Sequence, residues 1–168
     1  EVMVKYQEKE MVSELERFLH AKNLYVGLEE TAEEIDLRLP VPALFAPGRS
    51  GLAISSRQDL KAMAAILAKL PGVMIAVEGH TDNQPIKHSG WKSNQELSEA
   101  RAASVADFLK KEGVPSSLIS ARGFADTRPL VSNDSAASRQ KNRRVEIIIL
   151  SQEVSRQNFT GRGGDRIK

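Results

Sequence analysis

The chain has 168 residues and no cysteine, and its 24 Lys and Arg against 22 Asp and Glu leave a net charge of +2. This length suits one domain with a hydrophobic core. The balanced charge argues against a general attraction to nucleic acid or to an anionic membrane. Without cysteine there is no disulfide, thiolate metal site or cysteine nucleophile. No run approaches the roughly 18 apolar residues of a membrane-spanning helix.

The N-terminal third combines a charged helix with a short strand. Residues 5–22 are rich in Glu and Lys, and their apolar residues recur at helical spacing, which predicts an amphipathic helix. Because this lead-in has few apolar groups to bury, we expect residues 1–30 to be dispensable for folding of the domain but not for its regulation in the cell. Alternating apolar and charged residues predict a strand at 35–39, and residues 46–51 read as a loop.

The central part reads as a helix followed by a buried strand. Ser56 is the predicted N-cap of a helix that ends before Pro71. The apolar run 73–77 lies between two glycines, which predicts a central strand. The end of that strand delivers residues 78–82 into a loop.

A second long helix and two strands follow. Ser93 and Glu96 have the spacing of a capping box, and the helix they open runs to Gly113. Residues 125–138, rich in Asp, Ser, Asn and Pro, are expected to be a loop. Two further strands are predicted at 119–124 and 145–150.

The order strand, helix, strand, helix, strand, strand predicts an α+β fold, a two-layer α/β sandwich with helices on one face of a mixed sheet. We divide the chain into a lead-in segment at 1–33, a folded domain at 34–150 and a tail at 151–168. The tail is rich in Gly and charge, and we expect it to be disordered.

Arg101 is the first candidate for a functional residue. It lies four residues after Leu97 and four before Val105, so on a helix it shares the apolar stripe. An arginine in that position needs an anionic partner, because its planar guanidinium matches a carboxylate. That partner is either a structural acid of the protein or a ligand.

Asp82 is the second candidate. It follows a strand in a loop, where rigid scaffolds commonly present binding groups, although an Asp in such a loop also forms turns with nearby backbone N–H groups. If Asp82 and Arg101 converge, the acid and the base suit a zwitterion that carries an ammonium and a carboxylate. The sequence alone leaves that convergence open.

Catalysis and metal binding are weaker alternatives. His80 and Asp82, with Glu78 or His88, resemble a metal site, or a hydrolase triad with Ser98. Neither the H-E-x-x-H nor the G-x-S-x-G motif is present, so the residues favour neither a metal site nor an enzyme.

Two remaining features favour structural roles. A basic cluster enters the last strand, and we expect its members to be solvated or paired with acids; they are Arg139, Lys141, Arg143 and Arg144. Trp91 is the single tryptophan, without the interleaved aromatic residues of single-stranded nucleic-acid binders. It serves either in the core or at a binding rim, and we favour the core.

Three motifs occur in order. Residues 77–83 read V-E-G-H-T-D-N, residues 94–102 read N-Q-E-L-S-E-A-R-A and residues 142–146 read N-R-R-V-E. Together they resemble the OmpA-like C-terminal domain family over about residues 40–150.

The resemblance implies a β/α/β/α/β-β sandwich that binds the peptide stem of peptidoglycan through its diaminopimelate residue. Asp82 matches the family acid that meets the ligand's amino group, and Arg101 matches the arginine that meets its carboxylate. Thr81 and Asn94 match neighbouring positions that shape the pocket. The resemblance implies no enzyme and no cofactor, and it favours the ligand interpretation of both charges.

The loop after Asp82 resembles one branch of the family. Asn83-Gln84-Pro85-Ile86 and the longer connection to Trp91 are similar to MotB-type flagellar stator proteins and their sodium-driven relatives, as is the charged lead-in. This implies the periplasmic domain of an inner-membrane protein, whose membrane helix is not in this sequence. It also implies a homodimer that works with a membrane-embedded stator channel subunit. The alternative is an OmpA/Pal-like or secretion-system envelope anchor, with a hydrolase third.

Overall fold

The computed structural model describes residues 10, 13–18, 20–21, 27–30, 34–69, 73–86 and 90–150. The strands are β1 (Gly27–Glu30), β2 (Glu34–Pro40), β3 (Met74–His80), β4 (Ile119–Gly123) and β5 (Arg144–Leu150). The helices with described ends are α1 (Val41–Leu44), α2 (Ile54–Leu67), α3 (Asn94–Lys111) and α4 (Ala136–Asn142), with a 3-10 turn at Ser116–Leu118. Residues 13–18, 20 and 21 are also helical.

The strands form one sheet in the order β1-β2-β5-β3-β4, in which β3 and β4 are parallel and the other pairs antiparallel. Alternate residues of a strand point to opposite faces. On β5, Val145, Ile147 and Ile149 therefore face the helices and belong to the hydrophobic core. Arg144 and Glu146 point to the other face, which we call the back face. The predicted two-layer sandwich with a mixed sheet is confirmed.

Helix α3 packs unusually close to the sheet because two strand residues lack a side chain. A Cβ atom at Gly79 would lie 2.2 Å from the Ser98 carbonyl oxygen, and one at Gly123 would lie 2.4 Å from the Glu99 backbone nitrogen. Ser93 caps α3 as its place in the predicted capping box requires, since its Oγ accepts a hydrogen bond of 3.1 Å from the Glu96 backbone. These features fix the position of the helix that carries Arg101.

Two helix starts differ from the sequence expectation. Helix α2 begins at Ile54 with Ala53 as its N-cap, so Ser56 is not the cap. Its buried hydroxyl instead donates to the carbonyl oxygens of Leu44 and Ala53. Helix α4 begins at Ala136 inside the expected loop, because Ser135 Oγ caps the backbone N–H of Ser138.

The lead-in contributes more than expected. Leu15 is fully buried in the core, and Lys69 Nζ lies 2.9 Å from Glu14 Oε1. Gly27–Glu30 adds the edge strand β1 next to β2, which the sequence did not predict. Buried apolar surface and strand pairing both oppose the expectation that residues 1–30 are dispensable for folding. The expected tail at 151–168 lies outside the described residues.

Among the helices of the described residues, none is both long enough and apolar enough to cross a membrane.

Candidate functional site

A cavity of about 390 Å³ opens where β3 ends. Its walls come from the loop after β3, the first half of α3 and the segment that follows β2. All four residues predicted for a binding site line it: Thr81, Asp82, Asn94 and Arg101. The other described residues around it are Val41, Pro42, Phe45, Pro47, Gly48, Gln84, Pro85, Ile86, Leu97 and Arg143.

Asp82 uses both carboxylate oxygens within the protein. Oδ1 accepts the Gln84 backbone N–H at 2.9 Å, which is the turn-forming role considered from the sequence, and Oδ2 pairs with Arg143 Nη1 at 2.5 Å. Only 6 % of Asp82 is exposed. Each carboxylate oxygen has two lone pairs, so Asp82 can accept further hydrogen bonds from a ligand.

Arg101 is buried, as its place on the apolar stripe predicted. Its Nε donates to the Arg49 carbonyl oxygen at 2.9 Å, and its guanidinium lies 5.3 Å from the centre of the Phe45 ring. Among the described residues no carboxylate forms a salt bridge with it. Burial, together with the positive charge of Arg143, lowers the pKa of Arg101 to about 10. Arg101 is therefore a buried cation at neutral pH without a structural acid in the described part of the chain.

Thr81 and Asn94 form hydrogen bonds that connect the segments around the cavity. The Thr81 hydroxyl donates to the Asp82 carbonyl oxygen at 2.8 Å, and the Thr81 backbone N–H donates to Ala125 O at the same distance. Asn94 Nδ2 donates to the Gln84 carbonyl oxygen at 2.9 Å, which ties the loop after β3 to the start of α3. Both residues orient the segment that presents Asp82.

Arg143 is the pocket residue that the sequence analysis placed elsewhere. We expected it to be solvated or paired with an acid, and it does pair with Asp82, but it also lines the cavity, which we did not expect. The alternation of β5 is the signal that could have found it. Since Val145 faces the helices, Arg143 lies on that side too, whereas Arg144 points to the back face.

Trp91 lies at a second cavity and not in the core, contrary to our expectation. Its indole Nε1 donates to the Gly48 carbonyl oxygen at 2.9 Å, and its side chain is half-buried. This cavity of about 660 Å³ shares Gly48 with the first one. The indole N–H of a tryptophan needs a hydrogen-bond acceptor, and at the edge of the domain the carbonyl group of a loop provides one.

The back face carries a buried network of charges centred on Glu146. Glu146 Oε2 accepts from Arg144 Nε at 2.8 Å and Arg144 Nη2 at 2.7 Å. His80 Nε2 lies 3.4 Å from the same oxygen and 3.5 Å from Glu78 Oε1, and its ring stacks on Phe124. Ligand atoms of Glu78, His80 and Glu146 lie within 4.8 Å of one another. The Arg144 guanidinium already supplies the positive charge that these acids require.

Proton positions in this network follow from burial. Burial, the hydrogen bond to Glu146 and the negative charge of that residue raise the pKa of Asp36 to about 9, so Asp36 is protonated at neutral pH. Burial alone would raise the pKa of Glu146, but the hydrogen bond from Asp36 and the charge of Arg144 lower it. Burial lowers the pKa of His80, despite its two acidic neighbours.

Within the described residues, Ser98 and His80 do not form the catalytic pair of a hydrolase. Ser98 contacts the helix-facing side of β3, and its Oγ donates to Gln95 O and accepts from Ala125 N. His80 points to the back face with Glu78. The two side chains lie on opposite sides of the sheet, so they cannot share a proton. His88 lies outside the described residues.

Comparison with known families matches the OmpA family over residues 44–143, a span that contains Asp82, Arg101 and Arg143. The chain belongs to the OmpA family. Among curated relatives, it is 32% identical over 149 residues to Motility protein B of Bacillus subtilis, an alignment that covers 87% of this chain and 57% of that protein. The chain thus spans little more than half the length of this relative.

Solved structures with a similar fold include two MotB-type domains and a cell wall anchor. A MotB-like protein of Desulfovibrio vulgaris superposes with a TM-score of 0.78 at 26% identity, over 87% of this chain and 94% of that one. The cell wall anchor of the T6SS of Pseudomonas aeruginosa gives 0.73 at 34% identity, over 80% and 95%. The periplasmic domain of Helicobacter pylori MotB gives 0.70 at 30% identity, over 83% and 90%.

Proposed function

We propose that this OmpA-family domain binds peptidoglycan non-covalently by taking the diaminopimelate of the stem peptide into the cavity lined by Asp82 and Arg101. The observation that carries the proposal is the state of Arg101. It is 5 % exposed and has no salt-bridged carboxylate among the described residues, although burying an unpaired cation costs stability. A ligand carboxylate would supply the missing anion.

The chemistry of the two ends of diaminopimelate matches the two charges. Arg101 uses Nε for the Arg49 carbonyl, which leaves its terminal nitrogens for a carboxylate in a planar, two-donor contact. Asp82 retains lone pairs that can accept an ammonium group. A lysine in place of diaminopimelate would offer the ammonium without the carboxylate, and Arg101 would stay uncompensated. This pocket therefore favours a zwitterionic side chain.

We further propose that the domain anchors a flagellar stator to the cell wall from the periplasm. Similarity to Motility protein B of Bacillus subtilis and to the periplasmic domain of Helicobacter pylori MotB supports this assignment. In this proposal the domain forms a homodimer and its full-length chain joins a membrane-embedded channel subunit. In this proposal the role is binding and not catalysis, which agrees with the position of Ser98 and His80 on opposite sides of the sheet.

An envelope anchor of a secretion system is the second candidate, since the T6SS cell wall anchor of Pseudomonas aeruginosa is also similar. The complete reading frame separates the two. One N-terminal membrane helix that contains an aspartate supports the stator, whereas a lipoprotein signal supports the other anchor.

Co-sedimentation with purified peptidoglycan sacculi tests the binding proposal. Wild-type protein should pellet with sacculi, and Asp82→Asn and Arg101→Gln should lose most of that binding, by roughly thirtyfold in affinity for about 2 kcal/mol. Asp107→Asn and Lys111→Met remove one charge each at exposed positions of α3 and serve as matched controls. Equal pelleting of all variants would remove the site from the proposal.

A further inference from the structure

The second cavity, which we call the Trp91 cavity, has the composition of a ligand site. Its volume of about 660 Å³ lies within the range of pockets that bind small molecules. Leu52, Ile54 and Trp91 give it apolar walls, and Arg49 and Glu96 are the residues with charged side chains in its described lining. Ile54 is 80 % exposed, although isoleucine is among the residue types most often buried. The cavity therefore keeps an apolar surface in contact with water.

Arg49 and Glu96 offer donors and acceptors at this cavity but no net charge. Their backbone groups bond to Arg101 and Ser93, whereas neither charged side chain forms a hydrogen bond or a salt bridge within the described residues. A matching ligand is neutral and rich in hydroxyl or amide groups, because these groups can donate to a carboxylate and accept from a guanidinium. It also has an apolar face for the indole ring. A sugar ring has both properties.

We propose that the Trp91 cavity binds the muramyl sugar to which the stem peptide is attached, so that the domain recognises the glycan and the peptide of one peptidoglycan unit together. This inference rests on the proposed function of the first cavity. The C–H face of the sugar packs against the indole ring, and its hydroxyl and acetamido groups bond with Arg49 and Glu96. The lactyl carboxyl of this sugar is used in the amide bond to the stem peptide, so the sugar has no charge and matches the neutral cavity.

The position of the Trp91 cavity agrees with the length of the stem peptide. Gly48 lines both cavities, and Arg49 accepts a hydrogen bond from Arg101 while it also lines the Trp91 cavity. Two residues of the stem separate diaminopimelate from the sugar, and at about 3.3–3.6 Å per extended residue they place the sugar roughly 10 Å away. A diaminopimelate held by Arg101 would therefore bring the sugar to the neighbouring cavity.

A structural role for Trp91 is the competing explanation. Its hydrogen bond to the Gly48 carbonyl holds the loop at 46–52, and the next carbonyl of that loop accepts from Arg101. Loss of such support weakens every ligand of the first cavity by the same factor, with or without a sugar. A sugar-binding Trp91 contributes additionally to those ligands that carry the sugar. The ratio of two affinities within one variant therefore separates the two explanations.

Titration calorimetry measures this ratio for L-alanyl-γ-D-glutamyl-diaminopimelate that carries either N-acetylmuramic acid or a plain acetyl group on its alanine. Both ligands lack the terminal ammonium, so the sugar is their main difference. The wild type should bind the muramyl peptide about tenfold more tightly, because a packed aromatic face and a few hydrogen bonds contribute that much. Trp91→Leu, Ile54→Ser and Glu96→Ala should each lose most of this advantage. Asp107→Asn, at an exposed position of α3, should keep it.

Equal affinities for the two peptides in the wild type would overturn the inference and leave the proposed function standing. An advantage that persists in all three cavity variants would also overturn it, since the sugar would then bind elsewhere. If Trp91→Leu does not fold, the exposed Ile54 supplies the decisive variant. Equal affinities together with a lower molecular mass of Ile54→Ser in analytical ultracentrifugation would assign the cavity to a second copy of the chain. Failure of the wild type to bind either peptide would contradict the proposed function as well.

Discussion

At the scale of single residues, Arg101 shows a conflict between binding and stability. Its guanidinium is buried. It donates a hydrogen bond to a carbonyl oxygen and lies over an aromatic ring, but no carboxylate of the described residues forms a salt bridge with it. Removing one partner of a protein salt bridge destabilises, whereas removing a cation that was buried without one relieves a desolvation cost. The sign of the change in stability therefore distinguishes a ligand-binding arginine from a structural one.

We expect Arg101→Met to be more stable than the wild type and unable to bind peptidoglycan. The methionine fills similar apolar space beside Phe45 without a charge, so the melting temperature should rise by about 2–8 °C for each kcal/mol gained. Thermal unfolding and sacculus co-sedimentation on the same sample check both parts. A large loss of stability would show that Arg101 satisfies an acid of the protein.

Asp36 provides a pH-dependent test of the back-face network. Its pKa is raised to about 9 in the folded protein, against 3.8 for an ordinary aspartate. The folded state thus holds a proton that the unfolded state releases. The resulting stability is complete below about pH 3.8 and is lost as the pH rises towards 9, with a slope of up to roughly 1.4 kcal/mol per pH unit.

Asp36→Asn should therefore gain stability relative to the wild type as the pH rises from 5 to 8. The amide can donate to Glu146 as the protonated acid does, and it cannot ionise. His80 has the opposite effect on the pH dependence of stability, because its pKa is lowered and the folded protein therefore loses stability as the pH falls below 6.5. Both proteins contain His80, so its contribution cancels in the comparison. Thermal unfolding of the pair at pH 5 and pH 8 measures the difference. A difference independent of pH would mean that Asp36 is ionised in the folded state.

At the scale of elements, the sequence predicted those whose signals are local. The N-cap at Ser93 and the alternating strand at 35–39 need no distant information, and both are present. The edge strand β1 was missed because its four residues, Gly-Leu-Glu-Glu, lack β-branched and aromatic side chains. Its pairing with β2 is a tertiary contact. Helix α4 was missed because Ser and Asn dominate the segment that leads into it.

The lead-in shows the same limit. The helical spacing of residues 5–22 agrees with the helical state of the described residues 13–18, 20 and 21. The spacing of apolar residues cannot show where an amphipathic helix packs on the domain. Because the lead-in is highly charged, we expected little of it to be buried. Leu15 instead reaches the core, and Phe18 packs against it. A single apolar residue in a charged segment gives little indication of burial in the sequence, even where its side chain packs in the core.

We expect Leu15→Ala to destabilise the domain by about 2–5 kcal/mol, the usual cost of truncating a fully buried leucine. Glu14→Gln is the matched control, because the neighbouring Glu14–Lys69 pair is exposed and such pairs contribute about 0–1 kcal/mol. Urea unfolding of the two variants measures the contrast. Equal, small effects would restore the view that the lead-in is dispensable for folding.

At the scale of the whole molecule, the sheet and α3 bring together residues that are far apart in sequence. Two of the three motifs contain Asp82 and Arg101, and the fold places both on one cavity with Arg143. The pairing of Arg143 with Asp82 spans 61 residues, and no spacing rule connects them. The alternation of side chains along β5 predicts the face of the sheet on which Arg143 lies. Its pairing with Asp82 depends on the adjacency of β3 and β5, which the sequence does not show.

The ligand that we propose for this cavity is the diaminopimelate end of the stem peptide. The most direct measurement is the change in backbone amide NMR shifts of the ¹⁵N-labelled protein as the tripeptide L-alanyl-γ-D-glutamyl-diaminopimelate is added. We expect saturable changes concentrated in the loop at 81–86, in the first two turns of α3 and at Arg143, and we expect these changes to be lost in Arg101→Gln. Changes confined to other surfaces, or no change at saturating peptide, would contradict it.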